Sequence, residues 1–339
     1  MTLNYAFGFS VILLLLVAVN VYFFYTFTGL SKPHSFPVPS KLELAPDIFK
    51  DIFDQLNYLP SHYKVKNPKY LPVQRRLLQS FQVPSDTNTR SLWQDAQKWS
   101  NEETLFPRTY GAPGQILHAI RTSPIALVDN APKGSIYAGF DRHNSEVFAY
   151  YLASVLNFKW IAPSTIRKVH VRNDVVPFAT AGLKMTMLKN ESGSHCIYGK
   201  CYYCKPNETV CPDNNGEIEG AAILYLDKQF GIHKYEVYKD KIVLVDNGKG
   251  LGNPAVDEMD ILAPLYQCCI LSLSTWLQLE MVPGGSLTDT IKLISATQGE
   301  TLATEEHFRA VERRLLKIYA TVQYCIGKHG RAKVLKSTF

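Results

Sequence analysis

"KIVLVDNGKGLGNP", residues 241–254, is the stretch on which the reading of this chain turns. Ile242 to Val245 is an apolar run, Asp246 ends it, and Asn247-Gly248 follows. An Asn-Gly pair after such a run is the strongest short-range hairpin signal, and it would make Asp246 the start of a turn. The other reading is a carboxylate held at the end of a buried strand, where it can carry a metal ion. These residues alone allow both, so the remainder of the chain has to choose.

The chain has 339 residues, 46% of them hydrophobic, which is enough for one large domain or two ordinary ones and excludes a disordered chain. No Asp, Glu, Lys or Arg occurs from Met1 to Ser31, and the apolar stretch 6–30 is long enough to cross a bilayer core of about 30 Å as a helix. It is longer than the core of a cleavable signal and ends in aromatic residues, so residues 1–31 read as a signal anchor or transmembrane helix. Lys32 and Lys41 beyond it would place the body in the cytosol by the positive-inside tendency. Two glycosylation sequons, at Asn190 and Asn207, argue instead for a lumenal body. Beside them "CIYGKCYYCKPNETVC", 196–211, packs four cysteines into sixteen residues. Cys201 and Cys204 have the C-x-x-C spacing of zinc ligands, whereas an oxidising lumen favours disulfides. The net charge of +6 suits contact with an acidic polymer or acidic headgroups, but a diffuse excess is first of all a soluble surface.

After the anchor, residues 32–90 carry prolines at 33, 37, 39, 46, 60, 68, 72 and 84 and read as an extended stem. The folded body is expected over 91–339, starting with a short amphipathic helix that holds Leu92, Trp93 and Trp99. A helical segment with Ile116, Leu117 and Ile120 is followed by a short strand from Ile125 to Val128. "SEVFAYYLASVLNF", 145–158, is apolar on more than one face and reads as a buried helix. "RKVHVRNDVVPFAT", 167–180, alternates like a strand, and "GAAILYLD", 220–227, suits a fully covered central strand. From Ile261 onward the pattern is helical. Strands mixed early and helices late give an α+β fold.

Five motifs in order, "YAGFDRHNSEVFAYYL", "CIYGKCYYC", "EGAAILYL", "VDNGKGLGNP" and "DEMDILAPLYQCC", resemble the secretory-pathway kinases known as family with sequence similarity twenty. The resemblance spans roughly 110–325, and two of the motifs are spelled more like the xylosylkinase branch than the protein-directed branch. It implies an atypical kinase-like fold with a small β-rich N-lobe, 91–222, and a helical C-lobe, 223–339. It also implies a Golgi-lumenal, single-pass type II protein that uses ATP with Mn²⁺ or Mg²⁺ to phosphorylate the xylose of the glycosaminoglycan linker or a secreted acceptor, with a homo- or hetero-dimer as a possible assembly.

By the same resemblance Asp246 holds the divalent metal and the ATP phosphates, and Asp141 is a second metal ligand. Both roles fit phosphoryl transfer, which is mostly positioning and charge neutralisation. Read without the family, Asp141 and Arg142 are an exposed pair at a helix start. Ile223, Leu224, Tyr225 and Leu226 match the hinge strand that receives adenine, although any buried strand looks like this. Glu236 matches the last acid of the catalytic loop, against the plainer reading of a surface glutamate.

Two departures bear on activity. Between Gly134 and Ser135 the relatives carry a hairpin and a strand with a phosphate-holding lysine, and Lys133 lies before that gap and does not replace it. After Asp227 they carry a helix and a loop whose aspartate accepts the proton of the attacking hydroxyl. Aligned on Tyr235-Glu236, that aspartate falls on Gly231, which cannot act as a base. The resemblance further pairs Cys196 with Cys211, Cys201 with Cys204 and Cys269 with Cys325. It leaves Cys268 as the odd thiol of seven, with a small buried hydrophobe as the alternative role.

Three functions are open to this chain: a xylosylkinase-type glycan kinase whose polypeptide as written is inactive, a non-catalytic pseudokinase that regulates an active secretory kinase, or a spliced or mis-assembled product of an active kinase locus. The missing strands would also leave a sheet edge open.

Overall fold

The computed structural model describes residues 49–83, 113–128, 142–158, 161–198, 209–224, 247–248 and 250–337. The chain divides into two compact units, Met1–Asp51 and Ile52–Phe339, of which the first is described only over 49–51. The anchor expected over 1–31 lies outside the described residues. Among those that are described, no helix is long and apolar enough to cross a membrane.

In chain order the helices are α1 (Lys50–Asn57), α2 (Leu71–Ser80), α3 (Pro113–Thr122), α4 (Arg142–Val155), α5 (Ala181–Lys184), α6 (Ala263–Cys268), α7 (Leu273–Met281), α8 (Ser286–Gln298), α9 (Glu305–His329) and α10 (Arg331–Val334). The strands are β1 (Ser164–His170), β2 (Met187–Lys189), β3 (His195–Ile197), β4 (Glu217–Ile223), β5 (Leu271–Ser272) and β6 (Leu335–Lys336). β1 and β4 pair antiparallel over their full length, from Ser164 opposite Ile223 to His170 opposite Glu217. α3 and α4 pack against this pair. β2 and β3 form a short antiparallel hairpin, and β5 and β6 a two-residue parallel pair.

The excursion between β1 and β4 builds a satellite core of Val171, Val175, Ala179, Leu183 and Ile197. The Cys196–Cys211 disulfide staples it. The main core is helical and centres on Trp276, Tyr319, Ile291, Ile294 and Val322, all fully buried. α9 is 25 residues long because its ends are well finished. Thr304 accepts from His307 N, Glu305 and Glu306 face the positive end of the helix dipole, and Lys328 and His329 face the negative end. Its buried positions Phe308, Leu315, Tyr319, Val322 and Cys325 follow the helical period. A second disulfide, Cys269–Cys325, ties the residue after α6 to α9, and Cys268 is free and exposed rather than a buried hydrophobe.

The stem expected over 32–90 needs correction where it is described. Residues 52–83 are part of the folded unit. Pro68 and Pro72 sit in the first turn of a 3-10 helix and of α2, positions where the absent N–H costs nothing and the fixed φ helps. The aromatic residues between the prolines are core: Tyr63 is stacked on Tyr319 at 4.5 Å, and Tyr70 and Phe81 are buried. The body therefore starts well before residue 91.

The strand expected over 167–180 also ends early. After His170 the chain turns into the wide helical turn Val171–Val175, because Asp174 Oδ2 accepts from His170 N and His170 Nδ1 accepts from Asn173 N. The strand expected over 125–128 is reduced to a single bridge, Val128 to Ala179. The run 220–227 was expected to be fully covered, yet β4 begins at Glu217, its residues are largely half-buried, and Ile223 is exposed. The helix at Leu92 to Trp99 lies outside the described residues.

Candidate functional site

α4 begins at Arg142, the residue after Asp141, and its first turns are tied to the sheet. His143 Nε2 lies 3.2 Å from Glu219 Oε1 on β4, and Lys168 Nζ on β1 lies 3.6 Å from the other oxygen of the same carboxylate. One turn into the helix, Glu146 Oε2 accepts a hydrogen bond of 3.3 Å from Asn247 Nδ2. Asn247 directly follows Asp246, and Glu146 stands five residues after Asp141. Asp141 and Asp246 themselves lie outside the described residues, but the segments they adjoin meet at this bond.

Among the described residues that follow Asp246, none forms the returning strand of a hairpin. Asn247 O accepts from Gly250 N, Leu251 is buried, and no strand occurs among the described residues 250–262. Instead the chain is drawn to α9. Arg313 grips Asp257 with two parallel hydrogen bonds, Nε to Oδ2 at 2.7 Å and Nη2 to Oδ1 at 2.8 Å. Arg314 Nε and Lys317 Nζ bind the same carboxylate at 3.0 and 2.7 Å. The remaining Arg314 donors take the carbonyls of Leu251, Asn253 and Val256. The Arg313 hydrogen bonds, with those of Lys317 and Arg314, hold the Asp257 carboxyl well below the usual carboxylate range despite its burial. This clamp fixes the path of the chain from Leu251 to Asp257.

A second buried acid organises the opposite side of α4. Gly299 takes the left-handed conformation at the end of α8, φ 69°, which needs no Cβ and turns the chain so that Glu300 points back into the body. Its side chain is 3% exposed. Glu300 Oε1 accepts from Arg121 Nη2 (3.0 Å), Thr165 Oγ1 (2.6 Å) and Ile166 N (2.9 Å). Glu300 Oε2 accepts from the Tyr151 hydroxyl of α4. Burial, and then the Glu300 charge, push that phenol far above its ordinary range, so it stays a donor. One carboxylate thus joins α3, α4, β1 and the end of α8.

The other expected residues are placed only in part. Ile223 ends β4, and Leu224 is buried with its N–H donated to Pro163 O, so the start of the hinge run leaves the sheet in a fixed direction. The lobe boundary at 222/223 falls on the last residues of this strand. Tyr225, Leu226, Gly231, Glu236, Lys133, Asn207 and the pair Cys201–Cys204 lie outside the described residues. Asn190 is exposed at the turn between β2 and β3, where its Oδ1 accepts from Ser192 Oγ (2.7 Å) and Ser194 N (2.8 Å). Sequence reasoning passed over Glu146, Asp257, Glu300 and Arg121. The signal for Glu146 was present, an acid one and a half turns beyond Asp141 in a segment already singled out.

Comparison with known proteins bears on this geometry. The family profile described as "Fam20C: Golgi casein kinase, C-terminal, Fam20" matches residues 135–231 and 229–334. A glycosaminoglycan xylosylkinase homolog of Drosophila melanogaster is 30% identical over an alignment of 365 positions that covers 81% of this chain and 87% of the relative. A solved structure of hydra Fam20 with sugar superposes with a TM-score of 0.62 at 22% identity, covering 74% of this chain and 99% of that one. A crystal structure of the Golgi casein kinase with Mn/ADP bound superposes with the same TM-score at 19% identity, covering 78% and 89%.

Proposed function

This chain belongs to the Fam20 family of kinases, and from that premise we propose that it is of the glycan-directed, xylosylkinase type, held in the Golgi lumen by its N-terminal segment, with xylose of the proteoglycan linker as acceptor. The observation that carries the reading is the Asn247–Glu146 hydrogen bond. It brings Asn247, the residue after Asp246, against the helix that starts after Asp141, two parts of the chain 101 residues apart.

A divalent ion suits that donor set. The oxygens are hard ligands, and Glu146 is half-buried beside a rigid turn. Among the described residues there is no cluster of three metal-holding groups, and Asp246 and Asp141, neighbours in sequence of Asn247 and of the start of α4, would have to complete the set. Bound there, the ion would neutralise phosphate oxygens of the nucleotide. Glu146 would be held by Asn247, and the Asp257 clamp would keep the loop that follows Asp246 from drifting. Leu224 and Ile223 would direct the hinge run toward the adenine.

The same chain as written is proposed to transfer phosphate poorly. Gly231 stands where the relatives' proton-accepting aspartate aligns, and the alignment with the fly relative is longer than this entire chain of 339 residues, as internal gaps in this chain require. Loss of a general base costs about 10² to 10⁴ in rate. Mn²⁺-dependent transfer of labelled phosphate from ATP to a xylose-terminated acceptor is expected to run at least about a hundredfold below the fly relative. Equal rates would contradict this part of the reading. Retained Mn²⁺–ATP binding with absent transfer would favour a regulatory pseudokinase over an empty scaffold.

A further inference from the structure

Residues 61–80, "SHYKVKNPKYLPVQRRLLQS", hold Lys64, Lys66, Lys69, Arg75 and Arg76 and no acid. All five are exposed. Apart from Lys66, which pairs with Asp289, none has an ion-pair partner among the described residues. The backbone under them is fixed. Val65 and Lys66 lie so close to Gly284 that a Cβ there would meet Val65 C at 2.3 Å. Asn67 Nδ2 donates to Glu280 O at 3.2 Å, and its Oδ1 accepts from Lys69 N at 3.0 Å.

This strip borders a groove of about 540 Å³ between the 66–74 segment and α8, lined by Asn67, Tyr70, Gln74, Ser286 and Asp289 with Lys66 and Lys292 at its rim. Its polar lining is amide and hydroxyl, and its acid, Asp289, is neutralised by Lys66. Lys292 carries its own partner, Glu305, at 2.7 Å. The Tyr70 hydroxyl is buried and has no hydrogen-bond partner within bonding geometry. Thr290 Oγ1 beside it already accepts from Gln74 Nε2 and donates to Ser286 O. Tyr70 lines the groove, so this hydroxyl lies within its wall, where a small shift of the wall would bring it to an acceptor on a bound molecule. Leu71 and Gln74 of α2 line the groove, and exposed Arg75 stands one turn beyond Leu71 on the same helix.

We propose that this strip and groove bind an acidic polysaccharide, apart from the Asp246–Glu146 region, and hold a proteoglycan chain on the protein. The charge pattern supplies the attraction: Lys64, Lys69, Arg75 and Arg76, exposed and unpaired among the described residues, stand with Lys66 in a stretch of twenty residues without an acid. The amide, hydroxyl and aromatic groups of the groove supply the fit to sugar rings. The inference deepens the proposed function, since it rests on a glycan as the partner, but its test does not use the kinase site.

Binding of a heparin-derived decasaccharide to the full-length protein would be measured at several salt concentrations. Affinity is expected to fall steeply with salt. The charge-reversal variant K64E/K69E/R75E/R76E is expected to bind at least about tenfold more weakly at physiological salt than wild type. The charge-matched control R172E/K184E/K189E/K333E should bind within about twofold of wild type. Tyr70→Phe should weaken the decasaccharide by about threefold and leave a single-stranded DNA of equal charge unchanged. Mn²⁺–ATP binding by the same samples reports on the kinase reading separately, and the milder K69Q/R75Q variant replaces the reversal should the latter fail to fold. Equal loss in strip and control variants would overturn the proposal. So would equal, Tyr70-independent binding of DNA, which would make the strip a general polyanion surface.

Discussion

Two buried acids, Glu300 and Asp257, hold this protein in different ways. Glu300 is 3% exposed and faces a single cation, Arg121, itself 27% exposed; its other partners are neutral donors from β1 and α4. Asp257 is 10% exposed and faces three cations, all from one face of α9. The first joins four elements that exist whatever the protein binds. The second pins the loop of residues 251–257, which follows Asp246 in sequence. The contrast separates an acid that builds the body from one that aims a site. A site loop needs more charge than a core does, because it has little apolar surface to bury.

The largest effect that would break this comparison is at Glu300. Glu300→Ala takes the acceptor from Ile166 N and the Tyr151 hydroxyl and the charge from beside Arg121, which keeps only Ile166 O, Thr165 Oγ1 and Gln298 Oε1, and is expected to cost about 3–5 kcal/mol. That corresponds to a fall in melting temperature of about 6–15 °C, measured by calorimetry. If the loss is under about 1 kcal/mol, Glu300 is not a keystone.

Asp257→Asn should cost less, about 2 kcal/mol, because its cations reach water. It should weaken Mn²⁺–ATP binding more per unit of stability lost than Glu300→Ala does, since it frees the loop that follows Asp246 in sequence. Proportional losses in the two variants would erase the distinction.

Acid sharpens the comparison further. The Asp257 carboxyl is depressed in the folded state by the Arg313 hydrogen bonds, so its contribution is complete above the ordinary carboxylate value of about 3.9 and fades as pH falls below it. The stability gap between wild type and Asp257→Asn should therefore stay constant from about pH 7 to 5 and close below about pH 4, as followed by urea unfolding. The smallest effect is expected at Arg313, which is 43% exposed. Arg313→Ala should cost about 0.5–1 kcal/mol, with Arg314 and Lys317 retaining the carboxylate.

How much of this was legible in the sequence depends on whether the signal was local. The helices after Ile261 and the helix 142–155 were readable because their apolar periods are long. The pairings Cys196–Cys211 and Cys269–Cys325 came from the resemblance, and the structure forms both. Residues 52–83 were misread because proline marks stalks and helix starts alike, and only the burial of Tyr63, Tyr70 and Phe81 tells them apart. The turn at Val171 was hidden because Asp174 competes for the backbone through a side-chain bond that alternation does not register. Glu300 and Asp257 were invisible for a different reason: their partners stand 134 to 179 and 56 to 60 residues away, and no spacing rule links them.

The central claim is that Glu146 and Asp246 hold one cation beneath one nucleotide. Mn²⁺ binding in the presence of ATP, followed by electron paramagnetic resonance for wild type, Glu146→Gln, Asp246→Asn and the double variant, tests it most directly. Each single change is predicted to weaken Mn²⁺ binding at least about tenfold, with the double variant little worse than the weaker single one, the non-additivity of two ligands on one ion. Single variants that bind as wild type does, or losses that simply add, would contradict it.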